Sequence, residues 1–200
     1  MNKPFVVGIT GQTGAGKSLA VCLMAQADWL TLDADAIARR VVQPNTPCLA
    51  ALVKRFSADI LYEDGSLNRQ KLADIAFATP EDTQALNAIV HPAVIEEITN
   101  ALEHTTLSAV LIDAPLLFQA GLDKLCDITV AITAPEEERV RRICERDGIR
   151  KEQAMARINA QPSEEYYRKR ATLVLENDGD ELSFSKKLET LCKEWQREQN

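Results

Sequence analysis

The chain has 200 residues, 46% of them hydrophobic, and a formal net charge of −7. That is enough apolar material for one compact α/β unit with room for inserted subdomains. The acidic balance disfavours a protein that wraps nucleic acid, which normally shows a basic footprint, and no apolar run approaches the about 20 residues a membrane helix needs.

In chain order, 4–10 (PFVVGIT) is a short β-branched run that reads as a buried strand. A glycine-rich turn follows, and 17–27 reads as a helix. Residues 29–33 (WLTLD) read as a second strand, and helical pattern resumes at Ala34, with Ile37, Val41 and Val42 on one side. Pro44 and Pro47 are expected to break it before an amphipathic segment over 49–56. Glu63-Asp64-Gly65 is a turn signal, and 68–77 and 81–90 read as two short helices. His91-Pro92 is expected to interrupt the pattern before a further helix over 93–103.

This helical stretch is longer than one crossover needs, which points to an inserted substrate subdomain over 36–104. Strands are expected at 109–113 (AVLID), 128–132 (ITVAI) and 173–176 (LVLE), and a closing helix at 182–198. Strands alternating with helices predict an α/β fold, a parallel sheet covered by helices on both faces. Its core is expected over 1–35, 105–135 and 171–200. Residues 139–170 hold ten basic and five acidic residues, a local charge of +5 in an acidic protein. That reversal suits a phosphate-facing lid, placed at 136–170.

Five cysteines (Cys22, Cys48, Cys126, Cys144, Cys192) fall at no C-x-x-C spacing, with only His91 and His104 to join them. They read as reduced, mostly buried thiols and not as zinc ligands. The N-terminus enters a strand with no signal-peptide architecture, so a cytoplasmic protein is expected.

Gly11-Gln12-Thr13-Gly14-Ala15-Gly16-Lys17-Ser18 fits G-x-x-x-x-G-K-[ST], after an apolar strand and before a helix. The glycines let successive backbone N–H groups converge on one point, and the helix N-terminus adds to that anion hole. Lys17 is placed for the β- and γ-phosphates of ATP and the Ser18 hydroxyl for Mg2+. Asp113, ending a strand, is a candidate for the magnesium shell; the alternative is a strand-end cap. The D-x-x-G and N-K-x-D signatures of guanine-nucleotide switches do not occur, and small size favours a kinase of small metabolites. A carboxylate at the tip of the next strand is suited to deprotonating an acceptor hydroxyl. Asp33-Ala34-Asp35 occupies that position, one acid facing the phosphate and the other capping the new helix, or both acting as caps.

Read together, GITGQTGAGKS, LDADAIARRVVQP, DGSLNRQKL, LNAIVHPAV, APLLFQAGLDKLCD and RRICERDG resemble the dephospho-coenzyme A kinase family, in order over nearly the whole chain. The resemblance implies a P-loop core with a helical coenzyme-A-binding subdomain and a lid. It implies transfer of the γ-phosphoryl group of ATP to the ribose 3′-hydroxyl of dephospho-coenzyme A. Asp35 would be the base and Asp33 its geometric support. Arg39, Arg69 and His91 would contact the acceptor, Pro115, Leu116 and Leu117 would line the site floor, and Arg142 and Arg146 would clamp phosphate oxygens. Arg157 and Gln161 match a further substrate-side piece, and Asn177 and Gly179 the loop near adenine. The chain departs from the family at Gln119 (usually Glu), Thr172 (often Asp) and Gln12 (commonly Gly, where only backbone is needed). A monomer is expected. The competing reading is a P-loop kinase of another acceptor, such as a nucleoside monophosphate.

Overall fold

A computed structural model describes residues 3–25 and 29–198, with side chains up to Trp195. The elements run β1 (Phe5–Gly11), α1 (Lys17–Ala25), β2 (Leu30–Asp33), α2 (Ala34–Arg40), α3 (Pro47–Phe56), α4 (Arg69–Ala76) and α5 (Pro80–His104). They continue with β3 (Ala109–Asp113), β4 (Ile128–Thr133), α6 (Glu136–Asp147), α7 (Lys151–Asn159), α8 (Glu164–Arg168), β5 (Leu173–Glu176) and α9 (Glu181–Glu198). The expected end of the first helix at 26–27 lies outside the described residues. Two compact units result, Met1–Leu32 with Thr105–Asn200, and Asp33–His104.

The first unit is built on a five-stranded sheet in the order β2-β3-β1-β4-β5. β1 pairs in parallel with β3 and β4, and β4 with β5. Parallel strands need both faces covered, which explains why β1 and β3 are buried along almost their whole length. Val7, Ile9, Leu111, Val130 and Ile132 form one cluster with Phe184, Leu188 and Trp195 of α9. Trp29 and Trp195 close its lower end, ring centroids 6.0 Å apart, with Phe5 beside both. The register sets Ile9 level with Asp113, and Gly11 level with Ile132. The C-terminal ends of β1 and β3 and the turn after β1 therefore share one edge, the usual ligand edge of such sheets.

The second unit is helical, with α5 packed against α2, α3 and α4. The expected break is present, since α2 ends at Arg40, and its far side is Pro47. This proline opens α3 behind the Thr46 cap, whose Oγ1 accepts from Leu49 N–H at 3.2 Å, as proline's fixed φ allows. The interruption expected at His91-Pro92 is absent, and α5 runs through both. Pro92 removes the N–H that would reach the Ala88 carbonyl. Ala88 and Pro92 are exposed, so water can take that oxygen, while Val94 and Ile98 are buried and hold the helix line. Of the cysteines, Cys48 and Cys192 are buried, Cys126 and Cys144 half-buried and Cys22 exposed; all five are free thiols.

Candidate active site

β1 ends in the turn 11–16, and α1 starts at Lys17 with the Gly16 carbonyl accepting from Leu19 and Ala20 N–H. Gly14 (φ 79°) and Gly16 (φ 101°) sit in backbone that only glycine adopts readily. A Cβ on Gly14 would lie 2.7 Å from the Arg139 carbonyl, and one on Gly16 would collide with Asn177 Nδ2. Glycine is thus required twice, for conformation and for close approach.

A cavity of about 350 Å³ opens over this turn. Gly11, Gln12, Thr13, Gly14, Gly16, Lys17 and Ser18 line it, together with Pro115, Arg142, Arg146 and Gln161. Residues far apart in sequence thereby meet at the sheet edge. Lys17 Nζ donates to Asp113 Oδ1, both side chains 18% exposed. Thr10 Oγ1 donates to the Pro115 carbonyl at 3.1 Å and fixes the start of the P-L-L segment. Leu116 is exposed, whereas Leu117 is fully buried and packs beside Gly8.

α6 and α7 share a small apolar core of Val140, Ile143, Ala154 and Ile158. Arg142 leans on the turn, Nη1 lying 3.4 Å from the Gly14 carbonyl and Nη2 3.4 Å from the Asn177 carbonyl. Arg146 donates from Nε and Nη2 to Asp147 at 2.7 and 2.9 Å, and Arg157 also donates to Asp147. The Arg146 hydrogen bonds, followed by those of Arg157, hold the Asp147 carboxyl down at about 2. Gln161 Oε1 accepts from Thr13 N–H at 2.8 Å. Asn177 is buried, with Nδ2 donating to the Ala15 carbonyl at 2.9 Å, and Gly179 is exposed.

In the helical unit, Asp33 caps α2, its Oδ1 accepting from Ala36 N–H at 2.9 Å. Asp35 stands in the first turn of the same helix and is exposed. Arg69 Nη2 donates to the Arg39 carbonyl at 3.3 Å, and Arg39 lies 4.0 Å from Asp33 Oδ2. Burial pushes the His91 imidazole down from its ordinary value, which favours the neutral ring.

Two features escape a reading by motif. Arg139 is 3% exposed; Nε donates to the Thr13 carbonyl at 3.1 Å and Nη1 to Gln12 Oε1 at 2.7 Å. Gln12, expected to matter only through its backbone, also donates from Nε2 to the Pro162 carbonyl at 2.9 Å. The available signal was helical spacing, since 139, 142 and 146 share one face of α6. As for the departures, Thr172 Oγ1 accepts from Thr129 N–H at 3.2 Å, and Gln119 hydrogen-bonds the Tyr167 hydroxyl.

The family model for dephospho-CoA kinase matches residues 5–182. The chain belongs to the dephospho-CoA kinase family. Its dephospho-CoA kinase relative from Corynebacterium efficiens is 41% identical over 176 residues, 86% of this chain and 88% of that one. A crystal structure of a Thermus thermophilus protein superposes with TM-score 0.81 at 36% identity, covering 96% of this chain and 98% of that one. The dephospho-CoA kinase of Campylobacter jejuni shares the fold, with TM-score 0.73 at 23% identity and 98% of each chain covered.

Proposed function

We propose that the protein transfers the γ-phosphoryl group of ATP to the ribose 3′-hydroxyl of dephospho-coenzyme A, giving coenzyme A and ADP. One observation carries the chemistry: the cavity that sets Lys17 and Ser18 of the glycine-rich turn against Arg142 and Arg146. Glycine N–H groups, a helix N-terminus and cationic side chains around one cavity suit a polyphosphate. In the transfer, a bond forms between the acceptor 3′-oxygen and the γ-phosphorus as the bond to the β,γ-bridging oxygen breaks. The hydroxyl proton passes to Asp35, and ADP leaves.

Lys17 neutralises β- and γ-oxygens once phosphate draws it from Asp113, and Arg142 and Arg146 stabilise the charge spread over the transferring group. Asp33 fixes the start of the helix that carries Asp35. Arg39, Arg69, His91, Leu116 and Arg157 are the acceptor contacts, with Pro115 and Leu117 shaping the floor, Gln161 acting next to the turn and Gly179 on the adenine side. The donor set fits magnesium held chiefly by substrate phosphates. Ser18 supplies a hydroxyl and Asp113 a carboxylate, and no group of three metal-ligating side chains occurs among the described residues. Bound there, magnesium would neutralise phosphate charge.

ADP release is measured with dephospho-coenzyme A, AMP or adenosine as acceptor, with and without magnesium. Magnesium-dependent release with dephospho-coenzyme A alone is expected. Release with AMP and none with dephospho-coenzyme A would discard the acceptor assignment.

A further inference from the structure

We infer that Arg139 is a positioning residue of the phosphate turn, orienting its backbone N–H groups and adding a buried positive charge behind them. The inference rests on the proposed binding of ATP at this turn. Its geometry begins with the peptide unit. In a trans peptide, the C=O and the following N–H point in opposite directions, and no described peptide is cis. Arg139 Nε holds the Thr13 carbonyl toward α6, so the Gly14 N–H is turned the other way. Asn177 does the same to the Ala15 carbonyl and the Gly16 N–H. Gly14 and Gly16 both line the cavity.

The same two residues of the turn are gripped from two sides. Arg139, near the start of α6, binds Gln12 Oε1 and the Thr13 carbonyl. Gln161 and Pro162, beyond α7, bind Thr13 N–H and Gln12 Nε2. Gln12 thus joins the two sides through a single amide.

A brace alone does not call for a guanidinium. Burying a charge is costly, and an apolar side chain of similar volume would fill the space with less penalty. Arg139 Nη2 is buried with no hydrogen-bond partner among the described residues, and the carboxylates that act on its charge, Glu136 and Glu164, make no ion pair with it. Such a cation acts across low-dielectric protein on whatever anion occupies the turn. Arg139 therefore governs affinity for the phosphate donor and leaves affinity for the acceptor untouched.

The test is steady-state kinetics with each substrate varied in turn, alongside thermal melting with and without ATP, for wild type, Arg139→Gln, Arg139→Lys and Gln12→Ala. Arg139→Gln is expected to raise the KM for ATP by about tenfold or more, with the KM for dephospho-coenzyme A within about twofold. Its ATP-induced rise in Tm should shrink, and Arg139→Lys, which keeps the charge, should recover part of both losses. A folded Arg139→Gln with wild-type KM for ATP and wild-type thermal shift would overturn the inference, as would equal loss for both substrates. If neither Arg139 variant folds, Gln12→Ala decides. A raised KM for ATP alone supports the inference, and an unchanged one overturns it. Failure of the wild type to bind ATP would instead overturn the ATP reading itself.

Discussion

Asp33 gives one carboxylate oxygen to the Ala36 N–H, so the capping role at this junction is taken, and Asp35 is the acid proposed for proton transfer. Asparagine caps helices about as well as aspartate. Asp33→Asn should therefore keep α2 and most of the activity. Asp35→Asn should retain ATP binding and lose at least about a hundredfold in kcat, as expected when a general base is removed. Equilibrium ATP binding and single-turnover transfer in the two variants check this, and the opposite pattern would exchange the two roles. Asp147 offers a test by pH. Its folded carboxyl is held at about 2, below the ordinary range. Its contribution to stability is thus fully present above about pH 4 and lost as pH falls toward about 2. Acid melting curves should converge for wild type and Asp147→Asn near pH 2 and separate near pH 5, with wild type the more stable. At this scale the glycine-rich turn was legible because its chemistry is written in eight adjacent residues. Arg139 was not, because it meets its partners across 126 and 127 residues of sequence.

Element by element, most of what was missed concerns proline. The break expected at Pro44 and Pro47 is present, and Pro47 also starts the next helix, because the same fixed φ that stops a helix inside it suits its first turn. Pro92 was read as an interruption, yet α5 continues, with the exposed face accommodating the stranded carbonyl and the buried face held by packing. Pro92→Ala restores a donor at an exposed site and leaves no cavity. It should raise unfolding stability by about 1–3 kcal/mol, measured by urea denaturation. A loss of stability would mean that α5 depends on the proline. The strands at 109–113 and 128–132 were legible because buried parallel strands are short continuous apolar runs, and the half-buried edge strand at 173–176 because three of its four residues are apolar and β-sheet-compatible.

Across the molecule, the sheet edge gathers what the chain keeps far apart: the turn after β1, Pro115 after β3, Arg142 and Arg146 of α6, and Gln161 beyond α7. The alternation of strands and helices made the parallel sheet legible, but its strand order was not, since each crossover leaves several placements open. The local excess of basic residues over 139–170 marked the region, but not which arginine faces which partner. Arg142 leans on the turn, Arg141 pairs along the helix with Glu138 and Glu145, and Arg139 is buried.

The most direct measurement is the position of the new phosphate. ATP, magnesium and dephospho-coenzyme A are incubated with wild type and with Lys17→Ala, and the product is examined by phosphorus NMR and mass spectrometry. The account predicts one new phosphomonoester on the ribose 3′-oxygen, in stoichiometry with ADP, and a rate lower by about a hundredfold or more in a folded Lys17→Ala. A phosphate elsewhere on the acceptor, or an undiminished rate without the Lys17 ammonium, would contradict it.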